Sequence, residues 1–255
     1  MDVSICRDGR QVERAEDETM LLKRQTNWMS SVIMIMALMV STNVQATSDF
    51  QIWVPININA KLTEQLRGFL ELQPRIGNNA SNLTTAIVRP ALGWAINEQA
   101  TLWVGYLMQA DSVTPDSDTY RIENRAWQGF TWRDTANEKQ FIWEVRNRLE
   151  ERFLAGNSDP NIRWRTRFRV EQLIPDRWHW SVIASEEIFV NLNDNSNNAQ
   201  LQAGAQQNRL YVGVGYRFAP EAQVETGYLY QHVWRNSPSA DQNNTIWMTN
   251  LNLNF

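Results

Sequence analysis

The 255-residue sequence predicts an all-β fold, an antiparallel up-and-down transmembrane β-barrel of ten to twelve strands. Three observations predict it. Apolar and polar side chains alternate with a period of two from residue 64 almost to the last residue. Short and long connections alternate along the chain, as periplasmic turns and extracellular loops do in such barrels. The polar side of the alternation is carried by arginine, and lysine is nearly absent.

Composition narrows the alternatives. A net charge of −4 gives no basic face for nucleic acid. Mean hydropathy is −0.47, and the unbroken apolar run from Val32 to Val40 is too short to cross a bilayer as a helix. The single cysteine, Cys6, supports neither a disulfide framework nor a thiolate metal site. No cofactor is expected, and two histidines make a metal site unexpected as well.

Residues 1–46 read as an N-terminal extension plus a secretory signal peptide. Lys23 and Arg24 precede the run Val32 to Val40, and Val44-Gln45-Ala46 places small residues at −3 and −1 of a cleavage site. Met20 and Met29 are both open as starts. No cysteine follows the apolar run, so a lipid anchor is not expected. The mature domain, 47–255, then begins near Thr47 with 17 Arg and 2 Lys against 22 acidic residues.

The expected strands are 64–77, 83–97, 100–110, 120–133, 139–153, 162–175, 178–191, 208–218, 222–234 and 244–255, divided by clusters of turn-forming residues. In 120–133, Tyr120, Ile122, Ala126, Phe130 and Trp132 share one face, and Arg121, Glu123, Arg125 and Arg133 the other. In 139–153, Phe141, Trp143, Val145, Leu149 and Phe153 oppose Glu144, Arg146, Arg148, Glu150 and Arg152. In 162–175, Ile162, Trp164, Phe168, Val170 and Ile174 oppose Arg163, Arg165, Arg167, Arg169 and Glu171. In 208–218, Leu210, Val212, Val214, Tyr216 and Phe218 oppose Arg209 and Arg217. Glu151 and Gln172 break the apolar faces. Residues 50–59 also alternate and would make an eleventh strand, which conflicts with the even count usual in bacterial barrels. Pro55 suits an edge or an irregular element there.

A soluble sandwich or lipocalin-like sheet alternates in the same way. Two features favour lipid on the apolar side. Trp94, Trp132, Phe141, Trp143, Trp178, Trp180 and Phe218 crowd the strand ends beside the short turns, where amphipathic rings gather at a membrane–water boundary. Arginine's planar, weakly hydrated fork suits an enclosed interior in which it pairs bidentately. The last strand alternates to a terminal aromatic, Phe255, the form of signal read by the outer-membrane barrel assembly machinery of Gram-negative bacteria. Expected partners are therefore outer-membrane lipid and that machinery, with small anions a further possibility and nucleic acid excluded. The expected location is the outer membrane.

Several spaced motifs carry a family resemblance. They are Asp49-Phe50-Gln51-Ile52-Trp53, Glu123-Asn124-Arg125, Arg146 to Arg152, Arg163-Trp164-Arg165-Thr166-Arg167, Glu186 to Asn191, Asn208-Arg209 with Gly213 to Tyr216, and Gly227-Tyr228-Leu229. Together they resemble the uncharacterised bacterial group called domain of unknown function 2490, over most of 49–255. The resemblance implies an outer-membrane barrel and brings no substrate or catalytic set.

The inward face is expected to carry 15 Arg (67, 75, 89, 121, 125, 133, 146, 148, 152, 163, 165, 167, 169, 209, 217) and seven Glu (71, 123, 144, 150, 171, 187, 225). If Phe153 faces Ile162, then Arg152 faces Arg163, Glu150 faces Arg165, Arg148 faces Arg167 and Glu144 faces Glu171. With Trp132 opposite Phe141, Arg125 comes beside Arg148 and Glu123 beside Glu150. Like charges directly opposite are unfavourable, so strand tilt has to interleave Glu with Arg. Three functions follow from this face. One is a barrel of unstated role with an Arg/Glu-rich, largely side-chain-filled lumen. The second is a small anion-selective channel or anion-binding barrel. The third is an outer-membrane lipid hydrolase or protease, for which His179, Ser181 and Glu187 on one strand face are the candidates. Residues i and i+2 of a strand stand about 6.5–7 Å apart, so their contact is not assured. His232 is expected near an outer loop.

Overall fold

The computed structural model describes residues 47–114, 119–136, 140–156, 159–175, 177, 179–195, 201–236 and 239–255. The expected leader 1–46 and Trp178 lie outside these residues. Twelve strand segments follow in order: β1 (Thr47–Trp53), β2 (Ile56–Lys61), β3 (Leu66–Gly77), β4 (Asn82–Ala95), β5 (Ala100–Ser112), β6 (Tyr120–Ala136), β7 (Phe141–Leu154), β8 (Asn161–Leu173), β9 (Trp180–Asn191), β10 (Gly204–Ala219), β11 (Ala222–Val233) and β12 (Gln242–Asn254). No helix occurs among the described residues.

From β3 to β12 each strand pairs antiparallel with the next. The sheet then closes on itself through β1 and β2, which together make a single interrupted stave. Both pair in parallel with β12, from Thr47 opposite Gln242 to Trp53 opposite Met248, and from Ile56 opposite Leu251 to Asn59 opposite Asn254. Both also pair antiparallel with β3. The register is the same on either side of Pro55, whose missing N–H breaks the ladder without shifting it. The neighbouring bonds persist, from Val54 N to the Pro74 carbonyl at 3.1 Å and from Leu251 N to the Pro55 carbonyl at 2.9 Å.

The barrel therefore has eleven staves. That count lies within the ten to twelve expected: residues 50–59 are the eleventh strand that the alternation suggested, and its parallel pairing with the last strand is the exception in an otherwise antiparallel sheet. Closure leaves no unpaired edge. It also separates the ends of the domain. Thr47 lies at the end of the barrel where Ser112, Leu154, Asn191 and Val233 close their strands and the longer connections begin, bonded to the Asp241 carbonyl at 3.0 Å, and Phe255 lies with the short turns, bonded to the Asn59 carbonyl at 2.8 Å. The alternation of short and long connections has an exception at 78–81, a tight turn at the long-loop end. There the Asp49 carboxylate accepts from the backbone N of Asn78 (3.3 Å) and Asn79 (2.7 Å), holding a run of positive φ that includes Ala80 at 58°.

The pleat sorts the side chains as the alternation requires. Leu92, Val104, Phe168, Val212 and Phe218 point outward, with Val104 62% and Phe218 54% exposed. At the short-turn end Trp94 and Trp180 are exposed, and Trp132, Phe141 and Trp143 are partly so. Polar groups on this outer face pair locally: Tyr106 Oη donates to Asn124 Oδ1 at 2.7 Å, Trp164 Nε1 to Thr166 Oγ1 at 2.8 Å, Thr166 Oγ1 to Asn147 Oδ1 at 2.8 Å, and Asn208 Nδ2 to Glu186 Oε1 at 2.9 Å. Glu151 faces outward and is exposed.

Two hairpin registers differ from expectation while keeping every face. In β7–β8, Arg152 stands opposite Asn161, Glu150 opposite Arg163, Arg148 opposite Arg165 and Glu144 opposite Arg169, a slip of two. In β6–β7, Trp132 stands opposite Val145 because β6 runs on to Ala136, which pairs with Phe141. A slip of one would have turned each strand inside out, whereas slips of two and four leave the apolar side outward.

The interior also holds apolar side chains that the alternation alone does not reveal. Trp53, Ile183, Tyr211, Leu229 and Ile246 form one inward cluster, and Ile87, Ala91, Leu107 and Trp127 another, with Phe69 and Trp103 against it. The rings lie flat across the inner wall where glycine leaves room. A Cβ on Gly105 would come within 2.5 Å of the Trp127 ring, and one on Gly93 within 2.7 Å of Trp103.

Candidate functional site

Between the two apolar clusters, the inward positions of β3 to β11 bring arginine and glutamate together in tiers. Nearest the long loops, Glu123 receives Arg125 Nε at 2.6 Å and Arg152 Nε at 2.6 Å. Arg125 and Arg152 stand directly opposite on β6 and β7, so one carboxylate relieves a like-charge pair. Arg125 also donates to Gln109 Oε1 at 2.7 Å, and Arg152 to Asn161 Oδ1 at 3.2 Å.

The middle tier centres on Glu150, which has no solvent exposure. Its Oε2 accepts from Arg163 Nη2 at 2.6 Å and Nε at 3.0 Å, and its Oε1 from Arg165 Nη1 at 2.7 Å. Arg125 and Arg148 approach it at 3.9 and 3.8 Å. Arg165 reaches on to Glu187 at 2.9 Å, which also meets Arg146 at 3.3 Å and Arg209 at 3.8 Å. Arg89 pairs with Glu71 at 2.6 Å. Arg148 stacks 4.0 Å over Trp127, and Arg209 lies between Trp53 and Phe189 at 4.9 and 4.6 Å. Such stacking holds a guanidinium plane without neutralising it.

Toward the short turns, Glu144 binds Arg167 and lies 3.9 Å from Arg133. Arg169 bridges Glu225 at 2.7 Å and Glu171 at 3.2 Å. Arg217 borders the cavity at this end and Arg121 the cavity at the other. The tiers interleave the charges diagonally, so that Arg148 opposite Arg165 and Arg146 opposite Arg167 each lie within reach of a carboxylate.

The lumen is not solid. A cavity of about 440 Å³ at the long-loop end is bordered by Arg121, Leu201, Trp234 and Arg235. One of about 630 Å³ at the short-turn end is bordered by Glu98, Arg133, Arg217, Pro220 and Asn254. A chamber of about 180 Å³ shares Gln109, Arg152 and Gln206 with the first and Arg75, Arg89, Arg165 and Arg209 with the second. The interior is thus filled in part, as a largely side-chain-filled lumen requires. The middle is packed with ion pairs, and space remains above, below and within it. The reason is geometric, since eleven staves enclose more width than the eight at which side chains fill a barrel.

The histidine–serine candidates have other partners. His179 Nδ1 lies 2.9 Å from the Arg217 carbonyl. Ser181 is buried, with Gln223 Nε2 3.4 Å from its hydroxyl. Glu187 is six residues beyond Ser181 and engaged by arginines. His232 pairs outward near the long loops, with Asn243 Oδ1 2.6 Å from Nδ1 and Asp241 3.4 Å from Nε2. Among the described residues no group of three or more His, Cys, Asp or Glu has the arrangement of a metal site.

The family model described as "Protein of unknown function (DUF2490)" matches residues 50–244. An uncharacterised protein of Methylorubrum extorquens is 29% identical over 209 residues, which cover 82% of this chain and 89% of that one. Among solved structures, the outer-membrane expressed OmpT of Vibrio cholerae is similar over 70% of this chain and 61% of its own, at 13% identity and a TM-score of 0.38. The in-vitro folded trimer form of OmpT gives 13% identity and a TM-score of 0.39, over 70% of this chain and 59% of that one. The chain thus spans about three fifths of the length of those two structures.

Proposed function

The chain belongs to the DUF2490 family, and from that premise we propose an outer-membrane β-barrel that admits small anions to an ion-paired lumen and passes them at low conductance. Its expected partners are outer-membrane lipid along the apolar outer face and, through the strand ending at Phe255, the barrel assembly machinery. A leader cleaved near Ala46 would export it.

The observation that carries the lumenal reading is the excess of guanidinium over carboxylate inside a closed barrel with cavities at both ends. Confined, incompletely compensated arginine attracts carboxylate and phosphate. The outward side supports the location. Large apolar side chains are exposed on every strand from β3 to β11, whereas water-soluble monomers display such surface in isolated patches.

Outer-membrane fractionation and heat-modifiable gel mobility test the placement, and a soluble periplasmic product would refute it. Planar-bilayer recording tests the conduit. Small anion-selective currents are expected, weakened by Arg165→Glu or Arg167→Glu, and cation selectivity would overturn the reading. Silence in the bilayer would favour the alternative of a closed scaffold, which the Glu150 tier across the middle of the lumen supports.

A further inference from the structure

We infer that the 180 Å³ chamber in the middle of the lumen is a binding site for one compact oxyanion, a single phosphate or a small carboxylate. The inference rests on the anion-admitting barrel proposed above, and it concerns equilibrium occupancy rather than conduction. Seven arginines border the chamber, together with four glutamines and Phe189, and no carboxylate does. Four glutamates, at 71, 123, 150 and 187, lie within 4 Å of these arginines from other sides. Two of those glutamates are shared further, Glu150 with Arg148 and Glu187 with Arg146. The chamber therefore keeps a surplus of guanidinium charge that the fold itself does not neutralise.

Arg75 is the clearest case. It stacks 3.7 Å over the Trp53 ring and donates one bond to Gln73 at 3.0 Å. Its Nε is buried without a hydrogen-bond partner, and no carboxylate lies within 4 Å of it among the described residues. The Nε atoms of Arg89 and Arg165 are buried without a partner as well. Buried donors of this kind are costly unless something accepts from them. Arg209, held between two rings, turns Nε and Nη2 to the carboxamide oxygens of Gln207 and Gln231, which accept from it without adding negative charge. The volume equals about six waters at roughly 30 Å³ each, enough for one oxyanion with residual water and too small for a sugar phosphate. The chamber shares lining side chains with the cavities on both sides.

The test is calorimetric titration of the detergent-folded full chain with inorganic phosphate, and separately with malonate, at constant chloride. Saturable one-to-one binding of at least one of the two is expected. Arg75→Gln and Arg209→Gln should each weaken it by about tenfold or more, the usual worth of a charge-assisted contact, while Arg177→Gln in an exposed turn should not. Arg75→Gln should leave the ligand-free barrel at least as resistant to urea as the parent, because it removes a charge that has no carboxylate beside it. That separates a ligand role from a structural one. Absence of saturable heat with either probe, or binding untouched by both lumen variants, overturns the inference. Phosphate bound by a barrel that is silent in bilayers supports the chamber and refutes only the conduit; conduction without saturable binding does the reverse.

Discussion

Glu150→Gln is the substitution to which the lumen should respond most strongly. The wild-type carboxylate has no solvent exposure and accepts three hydrogen bonds from Arg163 and Arg165, with Arg125 and Arg148 within 4 Å. The amide keeps the shape, deletes the negative charge and turns an NH2 group toward guanidinium donors. Four arginines would then crowd a neutral centre. Removing one member of a buried ion pair costs about 3–5 kcal/mol, because the partner is left charged and unpaired. At about 1.4 kcal/mol per tenfold, that is two to nearly four decades in the folding equilibrium. The assay is urea unfolding of the barrel in lipid vesicles, followed by tryptophan fluorescence and by gel mobility without heating. Glu151→Gln is the internal control, since that neighbour faces outward and is exposed, and it should cost less than about 0.5 kcal/mol. Equal effects of the two substitutions, or a loss at Glu150 below about 1 kcal/mol, would refute the tiered ion-pair account.

Other expectations follow from particular contacts. Gly105→Ala should cost about 1–3 kcal/mol by overpacking, because its Cβ would meet the Trp127 ring at 2.5 Å; the urea midpoint reports it. Val212→Arg, half-exposed at mid-strand on the outer face of β10, should cost about 2–4 kcal/mol in lipid vesicles, and no penalty would argue that this face meets water. Ala80→Gly should stabilise by up to about 1 kcal/mol, since φ at this position is 58° and glycine has no Cβ to strain there; a loss of stability would contradict the strain. An epitope placed directly before Thr47 should be labelled on intact cells, and one after Phe255 only on permeabilised cells. Labelling of both under one condition would contradict the parallel seam.

The strands themselves were legible in the chain, most of them to within two residues, because a period of two bounded by turn residues leaves little freedom. Even residues 50–59 declared themselves. What alternation does not encode is the direction of a partner, so the parallel pairing of β1 and β2 with β12, which lets eleven staves close, was hidden. Register was hidden for a related reason. Moving Arg152 from Arg163 to Asn161 changes no face, and hydrophobic pattern is blind to even slips. The charges that do choose, such as Glu150 against Arg163, act only once the strands are paired. The arginines of the lumen could be read from their side of the strands. Trp127, Ile183, Tyr211 and Leu229 share that side, and alternation alone did not single them out. They are the apolar walls that hold Arg148 and border the ion-pair tiers. The chamber was invisible for a further reason: Arg75, Arg163 and Arg209 come from β3, β8 and β10, and only closure brings them together.

Spin labels placed one at a time at residues 163–168 of β8, in lipid vesicles, test most directly which side of the sheet meets hydrocarbon. Oxygen, which concentrates in the bilayer, should relax labels at 164, 166 and 168, and labels at 163, 165 and 167 should be shielded from it. The reverse alternation, or none, would contradict a barrel that turns its aromatic side to lipid and encloses its arginines.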